Sequence, residues 1–95
     1  MARLKTTRFD AAEYLKSEKD CALFLEAAFE SGETAHIAKA LGVVARARGM
    51  MKLAKETGLT REALYRVLSE DGNPTLDTLL KVAKAFGVHL TVSPA

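Results

Sequence analysis

Ninety-five residues, 48% of them hydrophobic, are enough for one packed domain and too few for two. The net charge is +2, and a single cysteine, Cys21, excludes an internal disulfide and fits a reducing, cytoplasmic setting. No apolar run approaches the roughly 18 residues that span a bilayer, and the opening "MARLKTTRFD" lacks the apolar centre of a secretion signal, so no membrane association is expected.

In chain order, Asp10 is placed to cap a short helix running through Leu15, after which "SEKD" reads as an interruption. Cys21, Phe24, Leu25, Ala28 and Phe29 then recur at helical spacing up to Ser31 and Gly32, predicting a second helix. Thr34 is expected to cap a third, whose Ile37, Ala40, Leu41 and Val44 follow the i, i+3, i+4, i+7 pattern to about Arg48 and Gly49. Gly42 inside it costs about 1 kcal/mol relative to alanine. A fourth helix is expected over Met50 to Thr57, with Leu53 and Ala54 inward, and Gly58 stops it because glycine accepts a left-handed cap.

Thr60 opens the fifth helix, with Ala63, Leu64, Val67 and Leu68 on its apolar side. The segment "EDGNP" is a turn by composition. Thr75 caps the sixth helix, with Asp77 in the first turn where a carboxylate favours the dipole, and Leu76, Leu79, Leu80, Ala83 and Phe86 are expected inside before Gly87 ends it. Last, "VHLTV" alternates with period two and predicts a short C-terminal strand. A lone strand leaves its backbone groups unpaired, and a second copy of the chain is the obvious donor of an edge, so a homodimer is expected.

The fold expected is therefore all-α: a compact bundle of about five or six helices with a short C-terminal β-strand. Its domain organisation reads as a single domain, 1–95, made of an N-terminal helical extension over 1–32 and a core over 33–95.

Charge is unevenly spread. Residues 1–45 carry six basic and seven acidic side chains, residues 46–66 six and two, and residues 67–95 two and three, giving −1, +4 and −1. A local excess of +4 is either a footprint for a polyanion or a plain solvated face. The helix opening at Thr60 sharpens the choice, because opposite its apolar side it gathers Arg61, Glu62, Tyr65, Arg66 and Ser69. Helices four and five are joined only by "TGL", which makes them cross steeply. Ala54 keeps the crossing close, Gly58 permits the turn, and Leu64 and Val67 fill the angle. That order and spacing suit a helix-turn-helix, although other compact helical bundles also accommodate them.

The segment "VARARGMMKLAKETGLTREALYRVLSEDGNPTLDTLLKVAKAFGV" resembles the helix-turn-helix domain of phage-repressor-like (Cro/CI, or XRE) transcription regulators, over roughly the last two thirds of the chain. With "FDAAEYLKSEKDCALFLEAAFESGETAHIAKALG" added, the whole chain resembles the probable addiction module antidote proteins, the antitoxin halves of bacterial toxin–antitoxin pairs. The resemblance implies an all-helical, commonly dimeric protein that binds double-stranded DNA at its own operator and pairs with a small toxin. One departure concerns Gly49 and Met50, where many domains of the wider repressor family carry a threonine–glutamine pair whose glutamine reaches toward DNA. Met50 cannot make the glutamine's hydrogen bond, so phosphate anchoring falls to Arg46, Arg48 and Lys52.

In that geometry the second motif helix enters the major groove. Successive residues turn by 100°, which aligns Arg61, Tyr65 and Ser69 in one row with Glu62 and Arg66 alongside. Arg61 and Arg66 are the first candidates for guanine, since arginine forks onto its two acceptors. Thr60 and Tyr65 offer hydroxyls, and Glu62 can accept from a cytosine amine. Each also has a structural alternative: Thr60 as a cap, Glu62 as a dipole partner, Tyr65 packed on a neighbouring helix.

Other functions are weaker. His36 and His89 stand 53 residues apart with no metal-ligand spacing, Cys21 lies in an apolar stripe, and no glycine-rich phosphate loop occurs, so neither catalysis nor a cofactor is expected. A protein-interaction module without DNA binding is the main competitor, with Phe9, Tyr14, Leu15, Phe24 and Phe29 as its surface, although packing is the commoner use of such residues. The basic arm of Arg3, Lys5 and Arg8 reads as a disordered end or as a backbone-tracking arm. An ordinary regulator without a toxin is the third reading.

Overall fold

A computed structural model describes residues 11–69 and 71–95. Its elements in order are a 3-10 helix, Ala11–Tyr14, then α1 (Glu18–Glu30), α2 (Thr34–Arg48), α3 (Met50–Thr57), α4 (Arg61–Val67) and α5 (Leu76–Phe86). All regular structure among the described residues is thus helical. The expected cap at Asp10, the aromatic Phe9, the arm of Arg3, Lys5 and Arg8, and Glu70 of the turn lie outside the described residues.

Local hydrogen bonding explains most boundaries, and three of them differ from expectation. The segment "SEKD" does not interrupt a helix; it starts α1. Ser17 is the N-cap, its Oγ accepting from the Asp20 N–H at 3.1 Å, while the Asp20 carboxylate accepts from the Lys16 N–H at 3.2 Å. The expected first helix shrinks to the single 3-10 turn. For α2 the cap position is Glu33, without a side-chain capping bond, and Thr34 is the first helical residue.

Core formation centres on α2, which packs against α1, α3, α5 and the 3-10 helix. Cys21, Leu25 and Ala28 of α1 meet Ala40, Leu41, Val44 and Ala45 of α2, with Met50 and Leu53 of α3, Leu64 and Leu68, and Val82 and Phe86 of α5 completing the cluster. Removing this apolar surface from water, at about 25 cal/mol per Å², is the main force holding the helices together. Gly42 carries more than the helix-propensity cost expected of it. A β-carbon there would collide with the backbone carbonyl oxygen of Leu68, so glycine is what lets the end of α4 rest on α2.

Thr75 caps α5 as expected, its Oγ1 accepting from the Thr78 N–H at 3.1 Å, and Asp77 pairs with Lys81 at 3.1 Å. Leu76 and Leu80, expected inside, are 68% and 50% exposed. The buried stripe runs through Val82, Ala83 and Phe86, with Leu79 half-buried beside it. Leu80 follows Leu79 by one residue, about 100° round the helix, which carries it off that stripe. Gly87 ends α5 in the left-handed conformation.

The C-terminal strand is not formed: among the described residues, 88–95 make no strand. A strand requires an edge to pair with, and a surface built of helices presents none. Among the described residues no helix is long and apolar enough to cross a membrane.

Candidate nucleic-acid interface

Residues 58–60 link α3 to α4, since Thr57 belongs to α3. Gly58 holds φ 77°, ψ 9°, and its N–H donates to the Ala54 carbonyl at 2.9 Å. A side chain at that φ would be strained, which explains the glycine. Thr57 fixes the turn from inside. Its buried Oγ1 donates to the Leu53 carbonyl at 2.8 Å and accepts from the Leu59 N–H at 3.3 Å. The sequence reading missed this residue. A threonine directly before a cap glycine is the signal that could have found it, because its hydroxyl can reach back four residues.

Thr60 then starts α4, its Oγ1 accepting from the Ala63 N–H at 3.0 Å. Such a cap contributes about 1 kcal/mol. Leu64 is fully buried, Leu68 is buried and Val67 half-buried, so one side of α4 is committed to the core. Arg61, Glu62, Tyr65 and Arg66 on the other side are all exposed.

Two members of this face are organised by the structure. The Arg61 guanidinium carbon lies 5.9 Å from the centroid of the Tyr65 ring, within cation–π range. Tyr65 is 49% exposed, so its ring serves Arg61 and not the interior of a neighbouring helix. Ser69 stands beyond the last turn, because α4 ends at Val67 with Leu68 as its cap. Its Oγ donates to the Arg66 carbonyl at 3.0 Å, satisfying one of the end carbonyls of the helix.

The remaining cations come from other elements. Arg46 and Arg48 occupy the last turn of α2, where positive charge favours the dipole, and Lys52 lies exposed on α3. Arg48 is turned toward α1, its Nη2 lying 3.8 Å from the Glu18 carboxylate. Together with Lys16, both Arg48 and Lys52 line a shallow depression of about 440 Å³ between the 3-10 helix and α3. Lys16 was not among the sequence candidates. Its proximity to Lys52 follows from how the 3-10 helix packs on α2, and no spacing along the chain signals it. Met50 is buried, in keeping with its inability to reach a phosphate, while Met51 beside it is exposed.

Chemically, the exposed face of α4 presents two guanidinium forks and a phenol on a short helix held from behind by Leu64. Such groups match the acceptor edges of guanine and the oxygens of phosphate. Among the described residues no group of three histidine, cysteine, aspartate or glutamate side chains is placed to hold a metal ion. Cys21 is fully buried, and desolvation pushes its thiol above the ordinary 9.0, with Arg48 opposing the shift and Asp20 and Glu18 adding to it.

Comparison with known proteins places these features in context. Residues 5–94 match the family described as "Probable addiction module antidote protein". A Haemophilus influenzae protein described only as "Uncharacterized protein" is 43% identical over 84 residues, covering 88% of this chain and 87% of its own length. No solved structure matches.

Proposed function

The chain belongs to the family of probable addiction module antidote proteins, and on that premise we propose that it is the antitoxin of a bacterial toxin–antitoxin pair, a cytoplasmic, non-enzymatic regulator that binds its own operator and neutralises a small toxin. The α3–α4 pair acts as a phage-repressor-like helix-turn-helix within a core over 33–95, preceded by an extension over 1–32. A single observation carries the DNA reading: α4 commits Leu64 to the core and leaves Arg61, Tyr65 and Arg66 exposed, with Arg61 already ordered on the Tyr65 ring. Ordering a long side chain before binding reduces the entropy lost on contact.

In this reading α4 lies in the major groove, where Arg61 and Arg66 fork onto guanines. Glu62 accepts from a cytosine amine, and Thr60, Tyr65 and Ser69 offer hydroxyls near the groove edge. Lys52, Arg46 and Arg48 anchor phosphates, adding affinity that depends on salt and not on sequence. One short helix reads only a few base pairs, so the protein works as a homodimer on two half-sites about 34 Å apart.

The test is a gel-shift with the DNA upstream of the protein's own gene across a range of salt concentrations. A shift that weakens steeply with salt is expected. No shift at low salt would end the DNA-binding reading and leave a protein-interaction role.

A further inference from the structure

We infer that the groove between α1 and the C-terminal segment 88–95 receives a basic, apolar segment of the toxin, leaving α4 uncovered so that toxin and DNA are held together. The inference rests on the antidote reading above and names the surface that serves it.

The groove has a volume of about 900 Å³. Leu25 and Leu41 form its base, Leu23 and Phe29 line the α1 side, and Leu90 lines the opposite side. Leu23 is 55% exposed and Leu90 39%, so apolar surface is left in water on both walls. Covering this surface would remove apolar area from water, which favours an occupant with apolar side chains of its own.

Charge identifies the partner. Two carboxylates, Glu26 and Glu30, line the groove, and none of its lining residues is lysine or arginine. Residues 17–33 carry five acidic side chains and one basic, a net −4, against the +4 of residues 46–66. A polyanion is repelled from such a face and a cationic polypeptide is drawn to it. The segment 88–95 adds a second means of attachment. Beyond Val88, whose N–H donates to the Ala83 carbonyl at 3.1 Å, no backbone N–H of this segment bonds to another described residue. An extended partner segment can pair with it there while its apolar side chains fill the groove. No residue of α3 or α4 lines the groove, so an occupant does not cover the DNA-reading face.

The test titrates the purified product of the small reading frame beside this chain's gene into the full chain, by calorimetry, using native protein, E26K/E30K and L23D. All three substitutions fall on exposed positions of α1, and circular dichroism checks that the helices remain. Each variant is expected to bind that product at least about tenfold more weakly with its operator shift unchanged: E26K/E30K because it sets like charges across the interface, and L23D because it removes an apolar contact and forces a carboxylate out of water against the apolar part of the segment. Both variants binding as tightly as native protein would overturn the groove assignment and leave the antidote reading standing. No binding by native protein would instead refute the antidote reading, and the assignment with it. A change in the mass of L23D by sedimentation would overturn it differently, by showing that a second copy of the chain fills the groove.

Discussion

The carbonyl oxygen of Leu68, the residue that caps α4, rests against Gly42 of α2 where no β-carbon can fit. This approach sets how far α4 stands from the core and therefore where Arg61 and Arg66 are held. Replacing Gly42 with alanine should gain about 1 kcal/mol of helix propensity yet lose more to overpacking, which costs about 1 to 3 kcal/mol or beyond when the obstacle is backbone. Gly42→Ala is therefore expected to lower the thermal midpoint. A raised midpoint would mean that α4 shifts freely.

Tyr65 separates a stacking role from a hydroxyl role. If its ring holds Arg61, Tyr65→Phe should keep operator affinity near the native value. Tyr65→Ala should weaken it by about 0.5 to 1 kcal/mol, the scale of an exposed cation–π pair. Equal losses in both variants, measured by fluorescence anisotropy, would show that the phenol oxygen contacts DNA.

Arg61→Ala and Arg66→Ala should each cost about 1 to 3 kcal/mol and relax the preference at particular base pairs. Lys52→Ala should weaken all sequences alike and reduce the salt slope by about one. A gel-shift panel of mutated operators at several salt concentrations distinguishes the two behaviours, and unchanged affinity in both arginine variants would remove α4 from the groove.

Thr57 makes a stability prediction of its own. Thr57→Val leaves the half-buried Leu59 N–H without its acceptor and takes from the Leu53 carbonyl its side-chain donor, at a cost of about 1 to 3 kcal/mol. Thr57→Ser keeps the hydroxyl and should lose about 0.8 kcal/mol for the missing methyl. Urea midpoints check the order, which would be reversed if packing of the methyl were the main contribution.

The Cys21 thiol titrates above 9.0 in the folded chain because burial disfavours the thiolate. The unfolded chain loses this proton first as pH rises, so the folded state then binds more protons and stability falls. The contribution is fully present below 9.0 and is lost as pH climbs through the folded value. Native protein should lose more stability than Cys21→Ala between about pH 8 and pH 10, measured by denaturant unfolding at each. Parallel losses would show that other groups account for the alkaline slope.

Much of the helical order was legible along the chain because its causes are local. Gly58, Thr60, Thr75 and Gly87 act as stops and caps through bonds spanning three or four residues, and each does so in the structure. Ser17 with Asp20 was equally local and could have been read as a cap pair in place of an interruption. The division of α4 into a buried and an exposed side was also readable, since the 100° turn per residue and the short link leave little choice.

Four features were decided only when the helices met. Gly42 reads as a weak helix residue until Leu68 lies against it. Leu76 and Leu80 look like core because any leucine at helical spacing does, but α5 buries a stripe set by α2 and α3. Arg48 looks like one more free cation until Glu18, thirty residues earlier, is found at 3.8 Å. The alternation of "VHLTV" marks a segment suited to pairing, yet pairing needs an edge, and among the described residues the regular structure is helical and supplies none. Sequence therefore determined where α3 and α5 end, where α4 and α5 begin and which side of α4 faces the core, because those depend on neighbours within one turn. Tertiary structure alone decided which apolar residues stay in water and which charges are joined, because burial and long-range pairing depend on residues far apart in the chain.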